Sequence, residues 1–432
     1  MIATSHRVNN GSDNSDAKIA LAIPTGRPRV GEVVNSFLEN AEYFGYNLKQ
    51  FSVYLSIDLE YQDKAPEDFK IDRSIEDRVN KVEYIYGDQR REFGEKVLER
   101  SGVDKDIADT LFIGRGYSRQ RNVAILRAAE DGNDYAICFD DDEDPKIPVR
   151  MEDGSTTWTY PDFFTPHISA LSNDVDITRG HCLGYLSPIP SDFERSIPED
   201  VRRKLGAALS IGSEVLDADS FSGLMKKVRY LNESEISNLP ISYIVKNGEY
   251  GKAILSGNMG INLTSLRGGK IPIFYTPPGA RGEDAIFGLQ LENLIVAEVS
   301  SYIFHDPFVK YPNISSGEVP NKLEDIQVDD ETKKRFGNAV IGWIKYAPML
   351  IAMTSQDRDE VDRRTGDMIA KIGEPTDRLA KLLHYDELST SERVLRNYVS
   401  DLDSHMNELL NVQNNWRDKI APSLEREVLR EN

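Results

Sequence analysis

One acidic run in the sequence has the composition of a metal site. The stretch YAICFDDDEDPKIP at 135–148 begins with a mostly apolar segment typical of a buried strand and leads directly into five acidic residues, Asp140, Asp141, Asp142, Glu143 and Asp144. Such crowding of negative charge is unfavourable unless a cation lies among the carboxylates. Carboxylate oxygens suit a hard divalent cation, Mg²⁺ or Mn²⁺, which usually takes further ligands from substrate phosphates. We therefore predict that Asp140 and Asp142 point the same way and bind a metal, whereas Asp141 points elsewhere, for example towards a ribose hydroxyl.

Three other interpretations of the acidic run compete with this one. Most charge runs are solvated loops, but this run follows an apolar strand directly and ends at Pro145. An EF-hand loop needs Gly at its sixth position and Glu at its twelfth, and counting from Asp140 those places hold Pro145 and Met151, which excludes it. A haloacid-dehalogenase-type phosphohydrolase also has Asp-x-Asp after an apolar strand and would use Asp140. It stays as the alternative, although Asp144 stands where that class prefers Thr or Val.

The composition indicates a large acidic protein without a nucleic-acid groove. The 432 residues are enough for two domains, and a hydrophobic content of 39% supports a real core. The formal charge of −20 argues against binding to nucleic acid or to anionic lipid. The two cysteines, Cys138 and Cys182, cannot form a disulfide framework, so we expect a reducing cytoplasm. No segment approaches the roughly 18 apolar residues of a membrane span.

The first part of the chain alternates between strand and helix patterns, which is typical of an α/β domain with a mostly parallel sheet. Predicted helices lie at 30–46 and 117–131, and predicted strands lie at 17–23, 51–58, 81–87 and 135–139. In such sheets, ligands bind beyond the carboxyl ends of the strands. Three strand ends should therefore converge on one crevice, namely those that carry Pro24–Arg27, Asp58 and Asp140–Asp142.

The rest of the chain divides into an irregular part and a helical part. The polar segment 190–250 has the character of a partly helical insertion, and strand patterns recur at 175–186, 251–265 and 296–307. From about residue 320 the strand patterns vanish, and apolar residues recur at helical spacing. We therefore predict a disordered tail at 1–16, a catalytic α/β domain at 17–315 and an all-α C-terminal domain at 316–432.

Six blocks of the sequence occur in an order that is known from one enzyme family. IALAIPTGRP and SIDLE come first, GYSRQRNVAILRAAEDGNDYAICFDDDEDP follows, and SGNMGINL, RGEDAIFGLQL and IFHDP come last. They resemble segments of glycosyltransferases of the glycosyltransferase-A fold, especially family-2-like enzymes. In the same order, these segments are the nucleotide loop, the base-reading aspartate, the Asp-x-Asp motif, the acceptor-side strand, the Glu-Asp helix and the late metal-binding histidine. The resemblance covers residues 17–310 in scattered blocks, and it includes neither 190–250 nor the helical region.

The resemblance implies a hexosyltransferase that binds a UDP- or GDP-linked sugar with Mn²⁺ or Mg²⁺. It would transfer the sugar to an acceptor hydroxyl, with inversion preferred. It assigns Asp284 as the catalytic base, with Glu283 as the spare, and it assigns His305 to the metal together with Asp140 and Asp142. Gly257 and Asn258 would let the backbone approach the sugar. The donor-binding residues that we expect are Pro24, Thr25, Arg27, Asp58, Arg121, Asp140, Asp141, Gly257 and Asn258.

Each assignment has a structural alternative. Arg121 could merely pair with the acidic run, and acidic residues such as Glu283 and Asp284 are common in first helical turns for dipole reasons alone. A single histidine near a strand end, such as His305, is more often structural. A non-catalytic sugar-nucleotide-binding protein therefore stays open beside the transferase and the phosphohydrolase. The sequence does not name the acceptor, which could be a carbohydrate, a glycoconjugate or a small molecule, and the helical domain could form a homodimer or shape the acceptor site.

Overall fold

The computed structural model describes residues 17–114, 116–185, 188–213, 229–236, 242–246, 248–249 and 251–425. The predicted tail at 1–16 lies outside these residues, and so does 214–228 within the predicted insertion. The strands, numbered in chain order, are β1 (Ile19–Thr25), β2 (Phe51–Ile57), β3 (Lys81–Ile85), β4 (Tyr135–Phe139), β5 (Glu143–Asp144), β6 (Ile147–Arg150), β7 (Thr156–Thr159), β8 (Ile177–Gly184), β9 (Leu231–Asn232), β10 (Ser242–Ile244), β11 (Asn258–Asn262) and β12 (Val296–His305).

Helices account for most of the remaining described residues. The α-helices are α1 (Val30–Tyr43), α2 (Arg73–Glu76), α3 (Gly87–Ser101), α4 (Lys105–Phe112), α5 (Tyr117–Glu130), α6 (Phe164–Leu171), α7 (Phe193–Ser196), α8 (Glu199–Leu209), α9 (Glu233–Ile236), α10 (Leu263–Arg267), α11 (Glu283–Leu289), α12 (Asp330–Thr354), α13 (Arg358–Leu383), α14 (Ser391–Ser400) and α15 (Leu402–Asn415). A single π-helical turn, Trp416–Ile420, continues α15.

A nine-stranded sheet with the order β10-β12-β8-β11-β4-β1-β2-β3 forms the centre of the protein, and β5 pairs with β12 beside it. The strands β3, β2, β1 and β4 are parallel to one another, and β8 is parallel to β12. Between these two groups lies β11, which is antiparallel to both of its neighbours. This arrangement confirms the predicted α/β class with a mostly parallel sheet. A small second sheet has the order β7-β6-β9.

Two apolar layers cover the two faces of the large sheet. Alternate residues of β1 divide between them: Ile19, Leu21 and Ile23 face the layer that α1 and α6 form, whereas Ala20 and Ala22 face the layer of α5. All residues of β1 are buried, because a parallel sheet is covered on both sides. The side chains that can meet a ligand are therefore those at the strand ends.

Two predicted strand boundaries were wrong. The first strand does not stop before Pro24 but continues to Thr25, because β1 has already separated from β4 at that point and pairs only with β2. The missing N–H of Pro24 then interrupts no hydrogen bond on the β4 side. Of the strand predicted at 251–265, only Asn258–Asn262 forms, since the Asn262 side chain caps α10 by accepting from the backbone N–H groups of Thr264 and Ser265.

The helices α12–α15 confirm the predicted all-α C-terminal region, but they share one core with the α/β part. Leu205 of α8, Met368 of α13 and Ala124 of α5 belong to one continuous apolar cluster. Tyr275 also donates from its hydroxyl to Glu408 Oε2 of α15 at 2.7 Å. The helical region can therefore contribute side chains to a site at the end of the sheet. Among the described residues, no helix is long and apolar enough to cross a membrane.

Candidate active site

A cleft of about 1920 Å³ opens at the carboxyl ends of β1, β2, β4 and β12. It lies where the strand order turns from the parallel group to β11, the position at which open α/β sheets bind ligands. The N-terminal ends of α5 and α11 and one side of α12 complete its walls. Of the residues that the sequence predicts for the site, it collects Pro24, Thr25, Arg27, Asp58, Arg121, Asp140, Asp141, Asp142, Gly257, Glu283, Asp284 and His305.

Asp141 holds the loop that follows β1. Its Oδ2 accepts hydrogen bonds from Thr25 Oγ1 at 2.7 Å and from the backbone N–H groups of Gly26 and Arg27 at 3.0 and 3.1 Å. Its Oδ1 pairs with the Arg27 guanidinium. Asp141 does not turn away from Asp142, because Arg27 Nη1 contacts a carboxylate oxygen of each of them, and both oxygens of Asp141 are already engaged within the protein. It positions the loop, and the loop presents Arg27.

Asp140 and Asp142 have different partners in the protein, although they are close enough for Asp142 to act on the pKa of Asp140. Asp140 Oδ1 accepts from Arg121 Nη2 at 3.1 Å, and its backbone N–H donates to Glu143 Oε2 at 2.7 Å. Burial raises the pKa of Asp140, and the neighbouring carboxylates Asp142 and Asp141 raise it further, while Arg121 opposes both effects. About a third of the Asp140 side chain, 34%, is exposed in the cleft. Asp140 is therefore open to a ligand but is held by Arg121.

Arg121 is a buried support of the cleft floor. Only 1% of the residue is exposed, and its Nη1 donates to the backbone oxygen of Ser256 at 3.0 Å. Because Nη2 is engaged by Asp140, the guanidinium joins the end of β4 to the segment before β11. The structural interpretation of Arg121 therefore holds in this structure. Its Nε has no hydrogen-bond partner among the described residues, so the guanidinium keeps a donor beside these two bonds.

Asp142 and His305 form the pair that best suits a metal ion. Asp142 Oδ2 lies 3.7 Å from His305 Nε2 and 3.0 Å from Arg27 Nη1. Burial alone would raise the pKa of Asp142, but Arg27 and His305 lower it below its ordinary range. Asp142 is therefore a carboxylate at neutral pH. Burial lowers the pKa of His305, but its polar neighbours, Asp142 above all, raise it more. The pKa of His305 is therefore well above its usual value. A metal that binds here would therefore displace a proton from His305.

Backbone pairing brings His305 to the acidic run. β5 and β12 are antiparallel with Glu143 opposite His305, and the backbone N–H of Asp306 donates to the backbone oxygen of Asp142 at 2.8 Å. His305 Nδ1 lies 2.7 Å from the backbone oxygen of Tyr185, which can only accept. Nδ1 therefore carries the hydrogen, and Nε2 is the atom that faces Asp142. Fixing the second ring nitrogen in this way is typical of metal-binding histidines.

The metal ligand set that these residues could supply is small. Over the part of the chain that the structure describes, no group of three or more His, Cys, Asp or Glu side chains has an arrangement that could hold a metal ion. The donor set of Asp142 and His305, one carboxylate and one imidazole, fits Mn²⁺ well and Mg²⁺ less well. Such an ion would take its remaining ligands from water and from substrate oxygens.

Gly257 lies in the cleft, but packing against a neighbouring side chain, rather than a ligand, explains why this residue is a glycine. A Cβ atom at this position would come within 2.2 Å of Glu143 Oε1. Glu143 is buried, and burial together with Asp140 raises its pKa well above the usual value. A glycine is therefore required for Glu143 to reach the Asp140 backbone, whether or not a sugar lies above it.

Asn258 is the predicted donor-binding residue that the structure places elsewhere. Its side chain is fully buried beneath the cleft, where Nδ2 donates to the backbone oxygens of His181 and Ser301 at 3.1 and 3.2 Å. Its Oδ1 faces His167 Nε2 at 2.8 Å. No polar atom of the side chain is left for a donor, and Asn258 is not among the residues that line the cleft, so its side chain joins β11 to its neighbours.

The hydrogen bonds around His167 determine its tautomer and its response to pH. Asn258 Oδ1 can only accept, so Nε2 carries the hydrogen, and Nδ1 accepts from Thr178 Oγ1 at 2.7 Å. Burial lowers the pKa of His167 to about 4, because a charged imidazolium is disfavoured in the interior.

We expect His167 to weaken the protein in mild acid. In the unfolded chain His167 has a pKa of about 6.5, so below this pH it takes up a proton that it does not take up in the folded chain. The free energy of unfolding therefore falls as the pH falls, by about 2 kcal/mol at pH 5. His167→Gln can keep both hydrogen bonds and cannot titrate. Denaturant unfolding of both proteins at pH 7.5 and pH 5 should therefore show the larger loss in the wild type. An equal loss in both would contradict the role of His167.

Glu283 and Asp284 open α11, line the cleft and lie close enough to Arg121 to act on its charge. Asp284 Oδ2 accepts from the backbone N–H of Ser256 at 3.2 Å, whereas its buried Oδ1 has no hydrogen-bond partner among the described residues. Burial and the neighbouring Asp284 raise the pKa of Glu283. An unpartnered carboxylate oxygen in a cleft is costly for stability, and it can accept a proton from a bound hydroxyl.

The loop that leads to Asp284 is held by the helical region. Gly282 has φ of +91° and packs against the ring of Tyr346, so a Cβ there would lie 2.6 Å from the ring. Lys345 Nζ donates to the backbone oxygen of Gly279 at 3.0 Å. The hydroxyl of Tyr398 donates to the backbone oxygen of Pro278. The C-terminal helices therefore set the position of the two acidic side chains.

No protein-family model matches the chain, and no curated protein matches it. Among solved structures, the TarS 1-349 structure from S. aureus is similar, with 12% identity, a TM-score of 0.36 and coverage of 90% of this chain and 91% of that one. A longer S. aureus TarS structure has 12% identity and a TM-score of 0.32, and the match covers 90% of this chain and 55% of that one. The mannosyltransferase Ktr4p from S. cerevisiae has 13% identity, a TM-score of 0.24 and coverage of 60% and 61%. At TM-scores this low the likenesses carry no argument about function, so the function is inferred from the site itself.

The helical region supplies cleft residues that the sequence did not indicate. Six residues of α12 line the cleft, and they are Glu331, Lys334, Arg335, Asn338, Trp343 and Tyr346. Two exposed tyrosines, Tyr61 and Tyr117, line it near Arg27. None of them belongs to a recognisable motif, and α12 has the apolar spacing of an ordinary packed helix. Only the packing of α12 across the strand ends brings its polar residues into the site.

Proposed function

We propose that this chain is a metal-dependent glycosyltransferase of the glycosyltransferase-A fold. It would transfer a hexosyl group from a UDP- or GDP-linked sugar to the hydroxyl of a carbohydrate, a glycoconjugate or a small molecule. The observation that carries the proposal is that one cleft at the strand ends contains the Asp142–His305 pair, the Arg27 guanidinium and the unpartnered Asp284 oxygen. These are the groups needed to hold a cation, to meet a diphosphate and to accept a proton.

Asp142 and His305 would hold Mn²⁺ or Mg²⁺, with Asp140 at the edge of the site. When bound, the metal would neutralise the negative charge of the diphosphate. The backbone of Tyr185 orients His305 and Arg27 keeps Asp142 ionised, so metal binding would need only the loss of the proton from His305 and a shift of Arg27. The loop after β1, which Asp141 fixes, presents Arg27 on the same side of the cleft.

Asp284 is proposed as the general base. Its Oδ1 would take the proton of the acceptor hydroxyl while the acceptor oxygen forms a bond to the anomeric carbon of the sugar. The bond between that carbon and the diphosphate oxygen breaks, and the nucleoside diphosphate leaves with the electron pair. A carboxylate base that activates the acceptor directly favours inversion, which we include in the proposal. Ser256 N–H and the helix start hold the carboxylate in place.

The two alternatives are less favoured. A phosphohydrolase would need Asp140 as a nucleophile, but its carboxylate is paired with the buried Arg121. A non-catalytic sugar-nucleotide-binding protein would have no use for the unpartnered Asp284 oxygen, which costs stability. The net charge of −20 and the unpaired Cys138 and Cys182 fit a protein that binds no nucleic acid and works in a reducing compartment, for which we propose the cytoplasm. Homodimerisation through the helical region stays a prediction.

A thermal-shift panel of UDP- and GDP-linked sugars, each with and without Mn²⁺, tests the proposal. A ligand present at 100 times its Kd stabilises a folded protein by about 2.7 kcal/mol. We expect one nucleotide class to raise the melting temperature and to do so much more in the presence of Mn²⁺. If no nucleotide sugar and no nucleoside diphosphate shifts the melting temperature with or without Mn²⁺, the proposed function is wrong.

A further inference from the structure

Arg335 of α12 reaches the end of β12 from the C-terminal helical region. One of its nitrogens, Nη1, donates to the backbone oxygen of Pro307, and its guanidinium lies over the ring of Phe308 at 5.1 Å from the centroid. Pro307 follows His305 by two residues, so this contact fixes the guanidinium next to the metal pair. The side chain is half-buried and lines the cleft. A helical residue is thus part of the wall that the strand ends form.

Arg335 has charged neighbours but no ion-pair partner among the described residues. Burial lowers its pKa, and Arg27 lowers it further, while Tyr61 and Asp142 oppose both effects. Arg27 and Arg121 each form ion pairs with the acidic run, but Arg335 forms none with any carboxylate in the part of the chain that is described. Asp141 and Asp142 offset part of the positive charge around Arg27, and an anionic ligand that reached both guanidinium groups would still be attracted by them.

The geometry of the remaining donors points to the kind of anion. Nη1 is used by the Pro307 carbonyl, while Nη2 and Nε make no hydrogen bond within the described residues. Two adjacent guanidinium donors match two oxygens of a phosphate group, and such charge-assisted pairs are among the stronger hydrogen bonds in proteins. A carboxylate ligand would match the donors equally, but the position beside Asp142 and His305 is the place at which a metal-bound diphosphate would lie.

We propose that Arg335, acting with Arg27, binds the diphosphate of the donor, so that the C-terminal helical region is a working part of the active site. This inference rests on the proposed function for the identity of the ligand. In the transfer step, negative charge grows on the departing diphosphate, and a fixed guanidinium stabilises it. The helical region would then have two tasks at the cleft, since its residues also hold the loop that carries Asp284.

Calorimetry with inorganic pyrophosphate, in the presence and absence of Mn²⁺, tests the anion site directly. Arg335→Met keeps the aliphatic stem against Phe308 and removes the charge, and we expect it to raise the Kd for pyrophosphate by about 10- to 100-fold. Arg335→Lys keeps a positive charge but not the paired donors, so its Kd for pyrophosphate should lie between those of the wild type and of Arg335→Met. Lys333→Met is the matched control: Lys333 is a neighbouring cation on α12 that pairs with Asp330 outside the cleft, and its removal should leave the Kd unchanged.

The outcomes separate this inference from the proposed function. If the wild type does not bind pyrophosphate, or if both Arg335 variants bind it as tightly as the wild type does, the inference is overturned. If Arg335→Met does not fold, Arg335→Lys tests the inference by itself, because the inference requires this variant to bind pyrophosphate more weakly than the wild type does. If the Arg335 variants lose pyrophosphate but no nucleotide sugar binds to the wild type, the anion site stands and the proposed function fails. Binding of uridine or guanosine, which lack phosphates, should be equal in the wild type and in Arg335→Met, and a matching loss there would refute a phosphate contact.

Discussion

Asp142→Ala should abolish the metal-dependent part of nucleoside diphosphate binding. The Asp142 carboxylate lies 3.7 Å from His305 Nε2, and Arg27 keeps it ionised, so it is the strongest candidate for a protein ligand of the metal. Because the metal would join the protein to the diphosphate, losing one of two ligands should raise the Kd for UDP or GDP with Mn²⁺ by about 100-fold or more. Calorimetry with and without Mn²⁺ measures this directly.

Two further variants show whether the effect belongs to the metal. Asp142→Asn keeps the shape of the side chain but is a poor metal ligand, so it should behave like the alanine variant in the presence of Mn²⁺. Asp153→Ala removes an exposed carboxylate outside the cleft that accepts from Ser155, and it should bind like the wild type. Unchanged affinity in Asp142→Ala would remove Asp142 from the metal site, and an equal loss with and without Mn²⁺ would indicate a structural role.

Asp284→Asn should retain donor binding and lose transfer. The amide oxygen can still accept from the Ser256 N–H, so the start of α11 should keep its structure, but the second atom of the group can no longer take a proton. Loss of a general base usually costs about 10²- to 10⁴-fold in rate. The measurement is the release of nucleoside diphosphate from the donor that the ligand panel identifies, together with the Kd for that donor.

Glu283→Gln is the matched control, because Glu283 precedes Asp284 on the same helical turn. The control should keep at least most of the transfer rate. The reverse pattern, with a large loss in Glu283→Gln and none in Asp284→Asn, would reassign the base to Glu283. If neither variant changes the rate of an active wild type, no carboxylate of α11 acts as the base.

The acidic run was recognisable because its pattern is local. An apolar strand that ends in carboxylates indicates a ligand site at the carboxyl end of a sheet, and β4 with Asp140–Asp142 has this arrangement. The helical character of the C-terminal region was equally clear, since apolar spacing reports which face of a helix is packed. The 315/316 boundary stays a prediction, and the elements on its two sides share one core.

What the sequence alone determined is therefore the class of the fold, the strand ends that carry polar residues and the cleft at which parallel strands end together. Tertiary structure decided which partner each polar group has. Asp141 binds the loop after β1, Asn258 turns into the core, and Arg335 enters the cleft from α12. The physical reason is that strand and helix patterns depend on neighbours along the chain, whereas the partner of a charge is whichever group the packing of distant elements brings within hydrogen-bond distance.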